Sequence, residues 1–232
     1  MPLIMINPAV FLSAADVDPF YSSNQVLMHF DGAFVDQMGH TVNSVGAGPS
    51  ITNAAAKFGT HGADFGGYGG ISTSIIPIGQ RDYTVECWIN IRTHAATGTA
   101  FFDTRNTSTN SADIFLGYQG GNIVGYPDLT QSSVTVGGYN PLTVGQWYHV
   151  AMSRKNGVVR VFLNGIQLGV GVANTSNLTS TRLSWGINGY IGGSDPRYNL
   201  NGFMDEARFT TGVGRYDTNF AVPNGPFPNK AA

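Results

Sequence analysis

Three acidic side chains in strand-like segments are the residues of this sequence that could hydrolyse a glycosidic bond. Retaining hydrolysis needs two carboxyl groups about 5–5.5 Å apart, which on one strand means two or four residues apart on the same face. Glu86 is followed on its face by Trp88 and Asn90, which are not acids. Asp205 and Glu206 are adjacent, so in a regular strand they face opposite sides. The spacing therefore predicts a protein that is not an enzyme.

Other reactive side chains also lack the partners that their chemistry needs. No Ser-His-Asp order and no Gly-x-Ser-x-Gly elbow occurs in the sequence. The glycine-rich run 66–70 is not followed by Lys-Ser/Thr, so it is predicted to be a turn rather than a phosphate loop. No histidine has a histidine partner two or four residues away, which argues against zinc, and His29 and His149 are predicted to be buried and hydrogen-bonded. The single cysteine, Cys87, excludes an internal disulfide and is predicted to pack in the core.

The composition limits the classes of protein that this chain can be. Of 232 residues, 42% are hydrophobic and only 11% are charged, with a formal net charge of −2 and 31 glycines. A disordered chain needs fewer apolar residues or more net charge, and a nucleic-acid partner needs a basic surface that this chain lacks. No apolar run is long enough to insert into a membrane, and no secretion signal is recognisable at the N-terminus, so we expect synthesis in the cytoplasm.

The two ends of the chain differ from the middle. Residues 1–25 contain three prolines and show no regular period, so we interpret them as an extended N-terminal arm or linker. Residues 26–222 are predicted to form one folded domain, and 223–232 a proline-rich C-terminal tail. The arm is too apolar to remain exposed to solvent without a partner. It is therefore predicted to dock on a partner chain through Ile4, Ile6, Val10, Phe11 and Leu12.

The middle of the chain alternates apolar and polar residues in short runs. Between 146 and 171 two Asn-Gly pairs, Asn156-Gly157 and Asn164-Gly165, separate three such runs, which predicts a three-stranded antiparallel meander with type I′ turns. Residues 83–91 place Tyr, Val, Cys, Ile and Ile on one face, which is typical of a strand in a two-sheet sandwich. Many short strands with glycine-rich turns and almost no helix predict an all-β jelly roll or a related sandwich.

Five segments in this order resemble the concanavalin A-like, laminin-G-like jelly-roll domains found in bacteriophage structural proteins. They are 26–32, 56–59 with 64–67, 83–92, 145–151 with 161–165, and 201–209. The resemblance covers about residues 16–228 of the sequence. It implies two antiparallel sheets in which the first and last strands pair, so that the chain termini lie close together.

The resemblance also implies two kinds of binding site. Many such domains bind calcium through carboxylates, and here Asp31 and Asp205 would lie on neighbouring strands; the alternative is that these acids only accept backbone hydrogen bonds. Sugar binding is common in the family and would use aromatic faces with polar neighbours on loops, or the same residues would line a subunit interface. The candidates in Gly/Asn-rich contexts are Tyr118, Tyr126, Tyr139, Trp185, Tyr190, Tyr198, Asp195 and Arg197.

The resemblance favours a non-enzymatic component of a phage virion. Such a component would decorate the capsid or form part of a fibre, attach to other virion proteins through its arm, assemble as a homo-oligomer and adhere to surface glycans. Two alternatives remain open at this point. One is a carbohydrate-binding lectin that works free of a virion, and the other is a glycan-cleaving enzyme of the same superfamily.

Overall fold

The alternating segments form fifteen strands in the computed structural model, which describes residues 17–95, 97–105, 114–128, 136–189 and 198–231. Two short 3-10 helices, Tyr21–Ser23 and Asn53–Ala55, accompany them. No helix within these ranges is long and apolar enough to cross a membrane. The strands are β1 Asn24–Met28, β2 Val42–Gly46, β3 Ser50–Thr52, β4 Gly62–Gly66, β5 Gly69–Ser74, β6 Tyr83–Thr93, β7 Thr99–Asp103, β8 Phe115–Gln119, β9 Asn122–Tyr126, β10 Val136–Tyr139, β11 Trp147–Lys155, β12 Val158–Leu163, β13 Ile166–Ala173, β14 Arg182–Trp185 and β15 Asn201–Thr211.

The strands make two antiparallel sheets, and the predicted jelly-roll sandwich is confirmed. The eight-stranded sheet has the order β13-β12-β11-β6-β15-β4-β3, and β1 also pairs with β15. The seven-stranded sheet has the order β10-β9-β8-β7-β14-β5-β2. The first and last strands therefore pair, as the resemblance implied.

The core lies between the sheets and follows the alternation of each strand. On β6 the side chains of Val85, Cys87 and Ile89 are 0% exposed and belong to the apolar cluster between the sheets. Trp185 of β14 belongs to the same cluster and is also 0% exposed. The prediction that Trp185 binds a ligand is therefore wrong. The Gly/Asn-rich sequence around it suggested a loop, whereas its position on β14 points its side chain into the core.

The predicted three-stranded meander is confirmed in β11, β12 and β13. At the first turn Asn156 and Gly157 have φ of 53° and 71°, and at the second Asn164 and Gly165 have φ of 49° and 76°. Positive φ at both central residues is what a type I′ turn requires, and Asn and Gly tolerate it best. The local sequence thus accounts for both turns.

Residues 212–231, the C-terminal segment, follow β15 and lie on the outer face of the eight-stranded sheet, opposite the core. The rings of Tyr216 and Phe220 contact Phe162 of β12, and Phe227 is 3% exposed. A β-bridge joins Asp18 to Ala231, so both described ends of the chain meet on this face. Asp18, Asn24 and Phe227 are buried, so residues from both the predicted arm (17–25) and the predicted tail (223–231) pack on the domain. The arm residues Ile4, Ile6, Val10, Phe11 and Leu12 lie outside the described residues.

Candidate functional site

The outer face of the eight-stranded sheet has a covered half and an open half. The covered half lies beneath the C-terminal segment and holds Glu86, His149 and Arg208. The open half holds Asn90, Arg92 and Trp147, with Asn201 and Phe203, and none of the described residues 212–231 hydrogen-bonds to it. The two halves therefore differ in whether the C-terminal segment contacts their side chains.

Glu86 in the covered half is a fully paired carboxylate. It accepts hydrogen bonds from Arg208 at 2.7 Å, from the Tyr216 hydroxyl at 2.8 Å and from His149 Nε2 at 3.1 Å. Burial alone would raise its pKa, but Arg208 and His149 together hold the pKa well below its usual range. His149 is buried and hydrogen-bonded, as the sequence predicted. Glu86 therefore stabilises the packing of the C-terminal segment.

Asp205 and Glu206 sit at a bulge in β15, so the assumption of a regular strand at this point is wrong. The register with β6 shifts between Asp205 and Arg208, and Glu206 has φ of 51°. Glu206 accepts the backbone N–H of Phe227 at 2.7 Å and lies 2.9 Å from His29 Nδ1. His29 is thus buried and hydrogen-bonded, as predicted. The bulge turns Glu206 towards the C-terminal segment instead of into the core.

Asp31 and Asp205, the candidate calcium ligands, hold the same segment, residues 57–61. Asp31 accepts the backbone N–H groups of Thr60 at 2.6 Å and His61 at 3.0 Å. Asp205 accepts those of Lys57 at 2.8 Å and Phe58 at 3.0 Å. The described part of the chain contains no group of three acidic, histidine or cysteine side chains placed to hold a metal ion. This is the arrangement expected of acids that accept backbone hydrogen bonds, and calcium binding by Asp31 and Asp205 stays a prediction.

A pocket opens at the end of the sandwich, beside the open half. Its volume is about 160 Å³. Three segments far apart in sequence meet there: the β4–β5 turn, the end of β6 and the residues leading into β15. Sites for drug-sized molecules measure roughly 300–1,000 Å³, so this smaller pocket suits a single small polar group of a ligand. The lining residues are Gly66, Gly67, Tyr68, Thr93, His94, Ala95, Asn199 and Asn201.

Tyr68 and His94 give the pocket an aromatic and a hydrogen-bonding wall. Tyr68 is 68% exposed, and Gly67 before it has φ of 85°, which glycine adopts without strain. His94 Nε2 lies 3.1 Å from the carbonyl of Leu142, which can only accept, so the neutral ring carries its proton on Nε2 and has an acceptor at Nδ1. The ring of His94 stacks on Tyr118 at 4.9 Å. Tyr118 therefore packs against a residue of the pocket lining and is not itself part of that lining.

Asn201 connects the pocket to the open half of the sheet. Arg92 Nη1 donates to Asn201 Oδ1 at 3.3 Å, and Arg92 Nη2 donates to Asp64 Oδ1 at 2.6 Å. The Arg92 guanidinium lies 4.8 Å from the centre of the Phe203 ring, which stacks with Trp147 at 6.5 Å. These contacts form a continuous row of side chains from the pocket to Trp147.

The remaining predicted ligand residues do not gather at one site. Tyr126 packs with Ala100 and Phe115, and Tyr139 at the end of β10 is 73% exposed. Tyr198 immediately precedes the pocket residue Asn199. Tyr190, Asp195 and Arg197 lie outside the described residues. The sequence reasoning missed Tyr68, His94 and Asn201, although an aromatic residue inside a glycine-rich turn is a signal that could have indicated Tyr68.

Comparison with known proteins gives one family and a set of similar structures. Residues 65–213 match the Laminin_G_3 family, described as the concanavalin A-like lectin/glucanases superfamily. No curated protein sequence matches the chain.

The similar structures include domain 4 of a GH43 extracellular arabinanase from Geobacillus stearothermophilus, solved with arabinotriose. That domain is 24% identical with a TM-score of 0.62, and the alignment covers 83% of this chain and 94% of the domain. The binding domain of botulinum neurotoxin serotype C1 is 13% identical with a TM-score of 0.59, over 82% of this chain and 49% of the toxin domain.

At these sequence identities the structural similarity shows the fold alone. The chain also spans only about half of the length of the toxin binding domain. The family match rests instead on the sequence, and it includes β6, the meander of β11 to β13 and the whole of β15. Since residues 65–213 are more than half of the 232 residues, the chain belongs to the Laminin_G_3 family of the concanavalin A-like lectin/glucanases superfamily.

Proposed function

We propose that this chain is a non-enzymatic carbohydrate-binding domain that holds a sugar in the pocket at the end of the sandwich. The observation that carries the proposal is the pocket itself, which combines the exposed ring of Tyr68 with the amide of Asn201 and the imidazole of His94. Aromatic faces pack against the apolar face of a sugar ring, while amide and imidazole groups exchange hydrogen bonds with its hydroxyls.

The similar structures support this class of ligand without deciding it for this chain. The arabinanase domain was solved in complex with arabinotriose, and cell entry of botulinum neurotoxin type C, whose binding domain has a similar structure, depends on interaction with two ganglioside molecules. Both ligands contain sugars. A sugar is therefore the first ligand to test with this chain.

The acidic side chains argue for binding rather than hydrolysis. None of the eight described residues that line the pocket is Asp or Glu. The carboxylates of Glu86, Asp205 and Glu206 accept hydrogen bonds from arginine, tyrosine or backbone N–H groups. Retaining hydrolysis needs two carboxyl groups free to act on one bond. An enzyme is the alternative that would release reducing ends from a glycan.

The positions of the chain ends support a domain that is anchored at one end and binds at the other. Asp18 and Ala231 meet close to Arg208 of β15, whereas the pocket includes Asn201 of the same strand. Seven residues of strand correspond to roughly 20 Å at about 3.3 Å per residue. An assembly holding the terminal segments would leave the pocket accessible.

We propose that this assembly is a phage virion, with the arm residues 1–16 docking on other virion proteins and several copies of the chain present. The chain would then occur in mass spectra of purified particles, and its gene would lie among capsid and tail genes. A free lectin is the alternative, and it would be absent from purified particles while still binding glycans.

The sugar proposal is tested on the purified chain with a glycan array, followed by calorimetric titration of the best-binding oligosaccharide. Tyr68→Ala is expected to weaken binding at least tenfold, because the ring forms the exposed wall of the pocket. Tyr139→Ala is the matched control, since it removes an equally exposed tyrosine that does not line the pocket. Absence of binding to every glycan would refute the proposal, and a loss caused only by Tyr139→Ala would move the site to β10.

A further inference from the structure

We infer that the pocket selects neutral sugars, and that Asp64 determines this selectivity by neutralising Arg92 beside the pocket. The inference rests on the proposed function, because it concerns the same pocket. Asp64 and Arg92 both lie outside the pocket lining.

The pocket itself carries no fixed charge. The eight described residues that line it are glycine, alanine, tyrosine, threonine, asparagine and one histidine, so none of them is permanently charged. An acidic sugar placed there would lose part of its hydration without gaining a cationic partner, which is costly for a carboxylate. A neutral sugar offers only hydroxyls, which the amide and imidazole groups match.

The cation that lies next to the pocket is paired. Arg92 contacts the pocket residue Asn201, and it donates to Asp64 at 2.6 Å. The side chains of Arg92 and Asp64 are 43% and 27% exposed, so both remain within reach of a ligand at the pocket edge. With Asp64 present, the positive charge of Arg92 is compensated, and an approaching sugar carboxylate also meets a negative charge.

Arg92 also fixes the orientation of the Asn201 amide. A guanidinium only donates hydrogen bonds, so Arg92 holds the Asn201 oxygen on its own side. The amide NH₂ group is then left to donate elsewhere, and a sugar hydroxyl can accept from it. Arg92 is thus a positioning residue for Asn201, and Asp64 in turn holds Arg92.

The experiment measures the affinities of matched neutral and acidic sugars for the full chain. The probes are lactose with 3′-sialyllactose, cellobiose with cellobiouronic acid, and arabinotriose as a further neutral sugar. The unmodified chain is expected to bind the neutral member of a pair more tightly. Asp64→Asn is expected to shift the ratio towards the acidic member about fivefold, the factor that corresponds to about 1 kcal/mol. This shift should shrink in 0.5 M salt, since screening weakens attraction at exposed charges.

Two variants complete the design. Asp217→Asn is the matched control, because Asp217 also forms an exposed ion pair, with Lys155 at 3.0 Å, and neither residue lines the pocket. It should leave the ratio unchanged. Arg92→Gln should weaken neutral binding, through loss of the oriented Asn201 amide, without raising acidic binding.

The outcomes separate the inference from the proposed function. Tighter binding of the acidic sugars by the unmodified chain, or an unchanged ratio in a folded Asp64→Asn variant, overturns the inference while leaving a carbohydrate-binding domain. Absence of binding to these probes and to the whole glycan array overturns the proposed function as well. Melting curves of each variant establish that it is folded before its affinities are compared.

Discussion

Asp205 and His29 are buried titratable side chains that should make the protein more stable at mildly acidic pH than at alkaline pH. Burial raises the pKa of Asp205 to about 7, against the opposing effect of the N–H groups of Phe58 and Lys57. Burial would lower the pKa of His29, but the hydrogen bond and charge of Glu206 outweigh it and raise that pKa. At pH values between the unfolded and the folded pKa of each group, the folded protein binds a proton that the unfolded chain has released.

The expected pH profile follows from the sign of these shifts. The contribution of Asp205 to the free energy of unfolding is complete below about pH 4 and is lost as the pH rises to about 7. The contribution of His29 is complete below about pH 6.5 and is lost above its raised pKa. Urea unfolding between pH 5 and pH 9 should therefore show falling stability, with a smaller fall below pH 7 in Asp205→Asn. A free energy of unfolding that rises over this range would contradict the assignment.

The carboxylate of Asp31 is an exposed acceptor whose role can be tested by substitution and by chelation. Because its carboxylate accepts N–H bonds from Thr60 and His61, Asp31→Asn should destabilise the domain by about 1 kcal/mol or less at this exposed position. If these bonds are its whole role, excess EDTA should leave the melting temperature of the unmodified chain unchanged. A fall of several degrees in EDTA, reversed by added calcium, would instead support an ion shared with Asp205.

The two Asn-Gly turns of the meander have the same conformation but different surroundings. A Cβ atom on Gly165 would lie 2.0 Å from the carbonyl oxygen of Phe220, whereas one on Gly157 would lie 3.2 Å from a methyl group of Thr175. The glycine of the second turn therefore lies directly against the backbone of the C-terminal segment, and the glycine of the first turn does not.

This difference predicts unequal costs for the same substitution. Both Gly157→Ala and Gly165→Ala force alanine into positive φ, which costs about 1 kcal/mol. Only Gly165→Ala must also displace the backbone at Phe220, so it should destabilise the domain at least twice as much. Urea unfolding of the two variants measures the difference, and equal free energies would show that the C-terminal segment does not bind this turn in solution.

Asp18 connects the first described residues of the domain to the last ones. Its carboxylate lies 2.7 Å from Arg215 and 3.2 Å from Arg208, and its backbone N–H donates to the carbonyl of Lys230 at 2.8 Å. All three side chains of this cluster are largely buried. Burial would raise the pKa of Asp18, but Arg215 lowers it.

Removing this carboxylate should therefore be costly. Asp18→Ala leaves two buried arginines with fewer partners, and it is expected to destabilise the domain by about 3 kcal/mol. Deleting residues 1–16 keeps Asp18 and should leave the domain folded, while abolishing incorporation into the proposed assembly. Asp217→Asn, which breaks an exposed pair, should change stability very little, because solvent screens the attraction between its charges. Thermal melts should show a large loss of stability in Asp18→Ala, a small one in Asp217→Asn and a folded domain after deletion of residues 1–16. A loss in Asp18→Ala no larger than that in Asp217→Asn would contradict this prediction.

Features that depend on neighbouring residues could be predicted from the amino-acid sequence. The alternation of 83–91 predicted β6 and its inward face, because successive side chains of a strand point to opposite sides. The Asn-Gly pairs predicted both turns of the meander, because few other residues accept positive φ twice in succession. Recognition of the family then implied the pairing of the first and last strands.

The accessibility of polar and aromatic groups, in contrast, was established by the tertiary structure. Glu86 and Trp147 both lie on the outer face of the same sheet, yet only Glu86 is covered by residues about 130 positions later in the chain. Trp185 and Tyr68 both lie near glycines, but the first packs between the sheets and the second projects beside a pocket. The exposure of a side chain depends on contacts between segments that are distant in sequence. The pocket is formed by three such segments, so no local sequence pattern could specify it.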